Sequence, residues 1–346
     1  MAQDSAGTVK ESERGKHSAT DIDVDTQPFV SVLTPVYNGG KFLRECIESV
    51  LNQNYENWEY VLVNNRSTDD SLAIMREYVA QDDRIRIHNN EEFLPQMENL
   101  NHAFRQISPK SKYCKVVHAD DWLFPECLSQ MVKVAEEYPS VGIVSSYRLV
   151  NNKVDLDGLP YSSNFNSGKE IARKYLLYGH SQFGSPSSLL IKSDLIRERE
   201  KFYEESHLAS DTGACLELLK ESDFGFVHDI LTFSRRHDES MSNTKCQESF
   251  AFIHAKLFSQ LDYGSFFLNE KEQQKSFSRI LNKYYILLAR NLVQQRSLEE
   301  FKRQKEVLEK LGLNFEGMRF LKKLIRELFQ QLFRYFGLEF KKVSNK

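Results

Sequence analysis

Two adjacent carboxylates, Asp120 and Asp121, follow the apolar pair Val116-Val117 by two residues, and Trp122 comes next. The apolar part reads as the end of a buried strand. Carboxylates just past such a strand lie where open α/β sheets bind ligands. Side by side they repel, so a divalent cation or several hydrogen bonds should accompany them. Hard oxygen donors of this kind suit Mg²⁺ or Mn²⁺ arriving with a diphosphate. An Asp here can instead cap a helix starting near Pro125.

The elements that must position this pair follow from the pattern upstream. Phe29–Leu33 is a short β-branched strand, broken by Thr34-Pro35-Val36-Tyr37-Asn38-Gly39-Gly40. Phe42, Leu43, Cys46, Ile47, Val50 and Leu51 keep a helical period. A second strand, Glu59–Val63, runs into Asn64-Asn65-Arg66-Ser67-Thr68-Asp69-Asp70, and a helix carries Leu72, Ile74, Met75 and Tyr78. Arg84–His88 reads as a third strand, Met97–Ile107 as a helix and Tyr113–Val117 as a fourth strand. Strands and helices alternating at this spacing predict a mainly parallel sheet with helices on both faces. The loops after the strands then meet on one edge, which collects Pro35, Tyr37, Asn38, Asn64, Asn65, Arg66, Asp120 and Asp121. A stacking face, amides and metal-holding carboxylates together suit a nucleotide diphosphate. Neither GxGxxG nor GxxxxGK[ST] occurs, so a Rossmann dinucleotide site and a P-loop are not indicated.

VSVLTPVYNGGKFLRECIESVLNQNYENWEYVLVNNRSTDDS, followed by HADDWLFPECL, resembles the nucleotide-binding half of the family 2 glycosyltransferases with the GT-A fold, from about Val30 to Leu149. The resemblance implies inverting transfer of a sugar from a nucleotide sugar, a UDP-sugar being the expected donor, with Mn²⁺ or Mg²⁺ bridging carboxylate and diphosphate. It places Pro35, Tyr37, Asn38, Asn65, Arg66 and Asp120 around the donor, with Tyr37 stacking near the base and Asn65 bonding its edge. Asp120 and Asp121 take the positions that hold ribose and metal. Many relatives have Asp where Asn64, Asn65 and His118 stand, and Ala-Arg-Asn where this chain has Met97-Glu98-Asn99.

Further on, Phe183–Ile191 is a Gly/Pro turn into a strand, and in the family this turn lies near the donor sugar. Asp211 opens an apolar helix. It can be an N-cap, but the family's general base, which takes the proton of the attacking hydroxyl, stands at this place. Relatives often end the next strand in Arg-x-His, matched by Arg235 and His237. The resemblance gives His237 to the metal or diphosphate and Arg235 to the donor.

The expected domains are a disordered polar tail at 1–27, a transferase domain at 28–245 and a helical C-terminal extension at 246–346. The transferase domain divides into a nucleotide half, 28–149, and an acceptor half, 150–245. The acceptor expected from the resemblance is a hydroxyl of a glycan or lipid-linked molecule, in polysaccharide or cell-envelope synthesis. A catalytically weak nucleotide-sugar-binding module of the same fold is the alternative, and a nucleotidyltransferase a third reading. Five scattered cysteines without CxxC spacing favour reduced thiols, and a net charge of −3 argues against a nucleic-acid binder. Without a signal peptide or an apolar run of about 18 residues, a cytoplasmic protein is expected, peripheral on the inner face of the membrane. Leu321, Leu324, Ile325, Leu328, Phe329, Leu332, Phe333 and Phe336 form a broad apolar face near the C-terminus. From Met318 on, eight basic residues face two acidic ones. Such a helix fits an anionic membrane interface, or it docks on protein.

Overall fold

A computed structural model describes residues 27–205, 210–237, 250–295 and 297–335. The disorder expected at 1–27 lies, but for Gln27, outside these residues, as does the chain beyond Tyr335.

The first strand, β1 (Val30–Val36), is buried nearly throughout. Its neighbour β2 (Trp58–Asn64) sends Tyr60 and Leu62 into one apolar core, and Val61 and Val63 into the other. Strands covered on both faces need helices above and below, and the crossovers supply them. Helix α1 (Gly40–Leu51) buries Leu43, Cys46, Ile47 and Val50, the i, i+3, i+4, i+7 set of one helical face. Helices α2 (Ser71–Val79) and α3 (Gln96–Phe104) connect β2 to β3 (Ile85–Asn89) and β3 to β4 (Tyr113–Val116). The order β3-β2-β1-β4 is parallel throughout, as expected.

Beyond β4 the sheet stays mainly parallel, as expected, with short antiparallel strands set into it. The short strand β9 (Leu190–Lys192) pairs antiparallel with β4 and with β6 (Val141–Val150). It thereby restores the parallel direction to β6 and to β10 (Asp223–Ser234). The outermost strand, β5 (Trp122–Leu123), is antiparallel to β10. Off this path, β7 (Lys153–Asp155) forms a hairpin with β6, and β8 (Phe165–Asn166) pairs antiparallel with β10. Because β4 and β5 are far apart in the sheet, residues 117–121 must cross the strand ends between them. Both carboxylates sit on that crossing.

Helices α4 (Cys127–Glu137), α5 (Gly168–Tyr178), α6 (Ser193–Arg197) and α7 (Ser210–Leu218) complete the sheet domain. After it come α8 (Phe250–Phe267), α9 (Glu270–Gln295), α10 (Leu298–Lys310) and α11 (Gly317–Tyr335), with an aromatic core around Phe250, Tyr284, Tyr285 and Phe320. Ser297 caps α10 by accepting the Glu300 N–H at 3.1 Å. The helical unit is tied to the end of α5: Gln260 and Ser276 both donate to the Leu176 carbonyl, and Arg279 donates to that of Leu177. Those carbonyls would otherwise end α5 without partners. No helix among the described residues is long and apolar enough to cross a membrane.

Candidate active site

The strand-end loops enclose one polar edge. At its centre Asp121 is almost fully buried. Its Oδ1 accepts the backbone N–H of Arg235 at 3.0 Å, and its Oδ2 faces the Ser234 hydroxyl at 3.4 Å. Burial pushes its pKa up, and the neighbouring Asp120 adds to the rise. His118, Ser187 and the Arg235 N–H pull the other way. Asp121 therefore fastens the end of β10 to the crossing after β4. That bond brings His237 to Asp120, with Nε2 and Oδ2 3.2 Å apart. A carboxylate and an imidazole on one point are donors of the type Mn²⁺ and Mg²⁺ accept. No cluster of three such side chains occurs among the described residues. The pair still fits an ion that takes its remaining ligands from substrate phosphates and water, the habit of Mg²⁺.

Arg235 is already engaged. Its guanidinium bonds Glu45 at 2.6 Å and the Asp120 carbonyl at 3.2 Å, and lies 4.3 Å from the centre of the Phe42 ring. Behind it Trp122 and Phe233 stack at 3.6 Å. It stands at the polar edge as a packed cation rather than a free arm.

The expected base pocket is built on a network of buried amides. Asn65 is buried, and its Oδ1 accepts from both Asn90 Nδ2 and the Leu94 N–H at 2.9 Å, while its Nδ2 donates to the Leu94 carbonyl at 2.8 Å. An Asp at 65 would leave that carbonyl without its donor, which gives the departure from the family pattern a local cause. Asn64 donates to Asn89 and accepts the Ser67 N–H. The loop held by Asn65 presents Phe93, more than half exposed, edge-on to the equally exposed Tyr37 at 4.8 Å. Asn38 and Arg66 both have positive φ, 50° and 61°. Asn38 Oδ1 accepts the Thr68 N–H at 2.8 Å, locking the turn after β1 to the turn after β2. Pro35 sits within β1 beside Val63 of β2.

Asp211 lies in the first turn of α7 and takes the Thr212 N–H on Oδ1 at 2.7 Å. Burial raises its pKa, against the opposing pulls of that N–H, His118 and Arg148. His118 favours the charged form of both Asp121 and Asp211, so its imidazole joins the two sides of the edge electrostatically.

Ser187 was absent from the sequence reading as a site residue, yet it holds the floor. It lies in the short 3₁₀ turn Pro186–Ser188, accepts the His118 N–H on Oγ at 3.0 Å and hydrogen-bonds Asp121. Its carbonyl accepts from Lys115 Nζ at 2.7 Å, and that lysine is fully buried in β4, where burial lowers its pKa. Phe93, Asn90 and Arg148 were missed as well. Arg148 is paired to Asp155 at 2.7 Å and still acts on Asp211. Lys115 carried a visible signal, as a cation inside an apolar strand, and Ser187 lies in the Gly/Pro turn at 183–191 that the resemblance sets near the donor sugar.

Residues 31–199 match the model of "Glycosyl transferase family 2". Glycosyltransferase GlyG of Streptococcus pneumoniae serotype 4 is 27% identical over 247 residues, covering 67% of this chain and 78% of that protein. Among solved structures, S. aureus TarS 1–349 in complex with UDP-GlcNAc superposes with a TM-score of 0.63 at 16% identity, over 91% of this chain and 93% of that one. A mannosyltransferase from Pyrobaculum calidifontis, PcManGT, solved with GDP-Man and Mn²⁺, gives 0.50 at 14% identity, over 89% of each chain.

Proposed function

We propose that the chain, whose residues 31–199 match the glycosyl transferase family 2 model, is a glycosyltransferase of that family, an inverting, metal-dependent enzyme using a nucleotide-sugar donor. The observation that carries this reading is the meeting of two different tools on one edge. Asp120 and His237 stand together on one side, and Asp211 stands on the other within the field of His118.

In this reading a divalent cation, when bound, neutralises the donor diphosphate as it leaves. Asp120 and His237 would hold it. Asp121 keeps those two groups in register through its bond to the Arg235 N–H. Tyr37 and Phe93 offer faces to the base, on a loop braced by Asn65. Asn38 and Arg66 shape the adjoining turns, and Pro35 lies in the strand beneath, one residue before its end at Val36. Arg235 adds positive charge beside the Asp120 carbonyl. Asp211 takes the proton from the acceptor hydroxyl as it attacks the anomeric carbon from the side opposite the leaving diphosphate, which inverts the configuration. Its raised pKa makes it a better base than an ordinary exposed carboxylate.

TarS and PcManGT were solved with UDP-GlcNAc and GDP-Man. For this chain we favour a uridine nucleotide and a hydroxyl of a glycan or lipid-linked acceptor, on the cytoplasmic side, in envelope polysaccharide synthesis. The transferase unit is assigned to 28–245 and the extension to 246–346. A panel of UDP- and GDP-sugars with Mn²⁺ or Mg²⁺, read by thermal stabilisation and by donor hydrolysis, tests the donor class. NMR of the anomeric proton of the transferred sugar tests the stereochemistry. A product with retained configuration, or donor binding indifferent to EDTA, overturns this reading.

A further inference from the structure

The C-terminal helix α11 is amphipathic, and its contacts separate two faces that the sequence alone merges. It docks on the helical unit through Phe320, Leu324 and Glu327. Phe320 packs against Phe301 and Phe315, and the nearly buried Glu327 faces Arg290 at 3.8 Å. The main apolar stripe is elsewhere. Met318, Leu321, Ile325, Leu328, Phe329 and Leu332 recur at helical spacing, yet each is between 44 and 71% exposed. A helix whose only task was to pack on its own domain would bury this stripe. At 100° per residue, Lys322 and Arg326 flank the stripe on the side away from the docked face. Both are exposed. From Met318 to Lys346 the chain has eight basic and two acidic residues.

We infer that α11 is a docking surface for an anionic lipid bilayer, lying in the plane of the interface with the stripe Leu321–Leu332 inserted and Lys322 and Arg326 at the headgroups. An apolar stripe bounded by cations is the pattern such helices use. A protein groove of acidic character would satisfy the cations but would not call for six large apolar side chains in a continuous row. The helix of 19 residues cannot span a bilayer, since it lacks an apolar surface all round. Its docked edge, with Glu327 held to Arg290, presents the stripe already folded, so little ordering entropy opposes binding. The inference stands on the helix alone and does not depend on the assignments of donor, metal or base.

Co-sedimentation of the full chain with vesicles of phosphatidylcholine, with and without phosphatidylglycerol, tests it. The protein is expected to pellet with the anionic vesicles and to be released as salt rises. Ile325→Asp with Phe329→Asp should abolish pelleting. Lys322→Ala with Arg326→Ala should weaken it roughly thirty-fold, at about fivefold per basic residue. Melting followed by circular dichroism shows that each variant is folded, independently of any nucleotide binding. A full chain that ignores both vesicle types overturns the inference, as does a folded stripe variant that still pellets. So does a dimer in light scattering that the stripe variant dissolves, because the stripe then belongs to a second copy.

Discussion

The two carboxylate sites differ in how their oxygens are used. Asp121 is wedged between a backbone N–H and a serine hydroxyl and holds two chain segments together. Asp211 accepts only backbone N–H groups of its own turn, those of Thr212 and of Asp211 itself, and besides these feels burial and the fields of His118 and Arg148. Burial raises both pKa values, but the consequences diverge. A carboxylate whose lone pairs are spent on structure makes a good clamp. One with spare lone pairs and a raised pKa makes a good base. In the proposed mechanism the clamp side would act through its neighbours, and the base side through a single carboxylate.

The largest expected effect therefore falls on Asp211. Asp211→Asn should lower transfer by roughly 10²–10⁴-fold while leaving donor affinity nearly unchanged, because the lost interaction belongs to the transition state. It should also stabilise the fold near neutral pH. The sign follows from linkage: with the native pKa above the unfolded one, the unfolded state releases its proton first. Stability contributed by the protonated form is present below the unfolded value and is lost as pH rises through the native one. An Asn escapes that loss. Transfer itself should fall on acidification through a limb lying above the ordinary Asp value of about 3.9. A variant that transfers at wild-type rate, or melts lower than wild type, would erase the distinction between the two sides.

Next in size is the metal side. Asp120→Asn or His237→Ala should weaken metal-dependent donor binding by more than roughly tenfold, and EDTA should do the same to the wild type. Asp121→Asn should cost less, because an amide oxygen can still accept the Arg235 N–H. Isothermal titration with UDP and Mn²⁺ ranks the three. If Asp121→Asn proves the worst, Asp121 is itself a ligand and not a clamp.

Smaller effects test the supports. Ser187→Ala leaves the His118 N–H without its partner and should cost about 1–3 kcal/mol in stability, read by urea unfolding. Asn65→Asp should cost a similar amount, since a carboxylate cannot donate to the Leu94 carbonyl. A neutral result at either position would mean that the neighbouring loops relax freely. Tyr37→Ala is the mildest: losing one stacking face should weaken UDP binding by about 0.5–1.5 kcal/mol and leave the melting temperature in place.

Much of this was legible in the chain before folding. Apolar periodicity located β1 to β4 and the helices between them, since strands buried on both faces and one-sided helices leave unmistakable patterns. Local motifs brought out Tyr37, Asn38, Asp120, Asp121, Asp211, Arg235 and His237, each at a strand end or helix start where polar groups interrupt an apolar run. Periodicity also drew α11 as amphipathic. Tertiary structure decided the rest, because partners distant in sequence share no local signal. Ser187 meets His118 across 69 residues, and Asp121 meets the Arg235 N–H across 114. Phe93 joins Tyr37 only because a buried amide network folds its loop back onto Asn65. In α11 the heptad-like spacing told which side chains share a face. Only packing against Phe301, Phe315 and Arg290 decided which edge is covered and which stripe is left to solvent, since a helix of fixed period can turn either edge toward its neighbour.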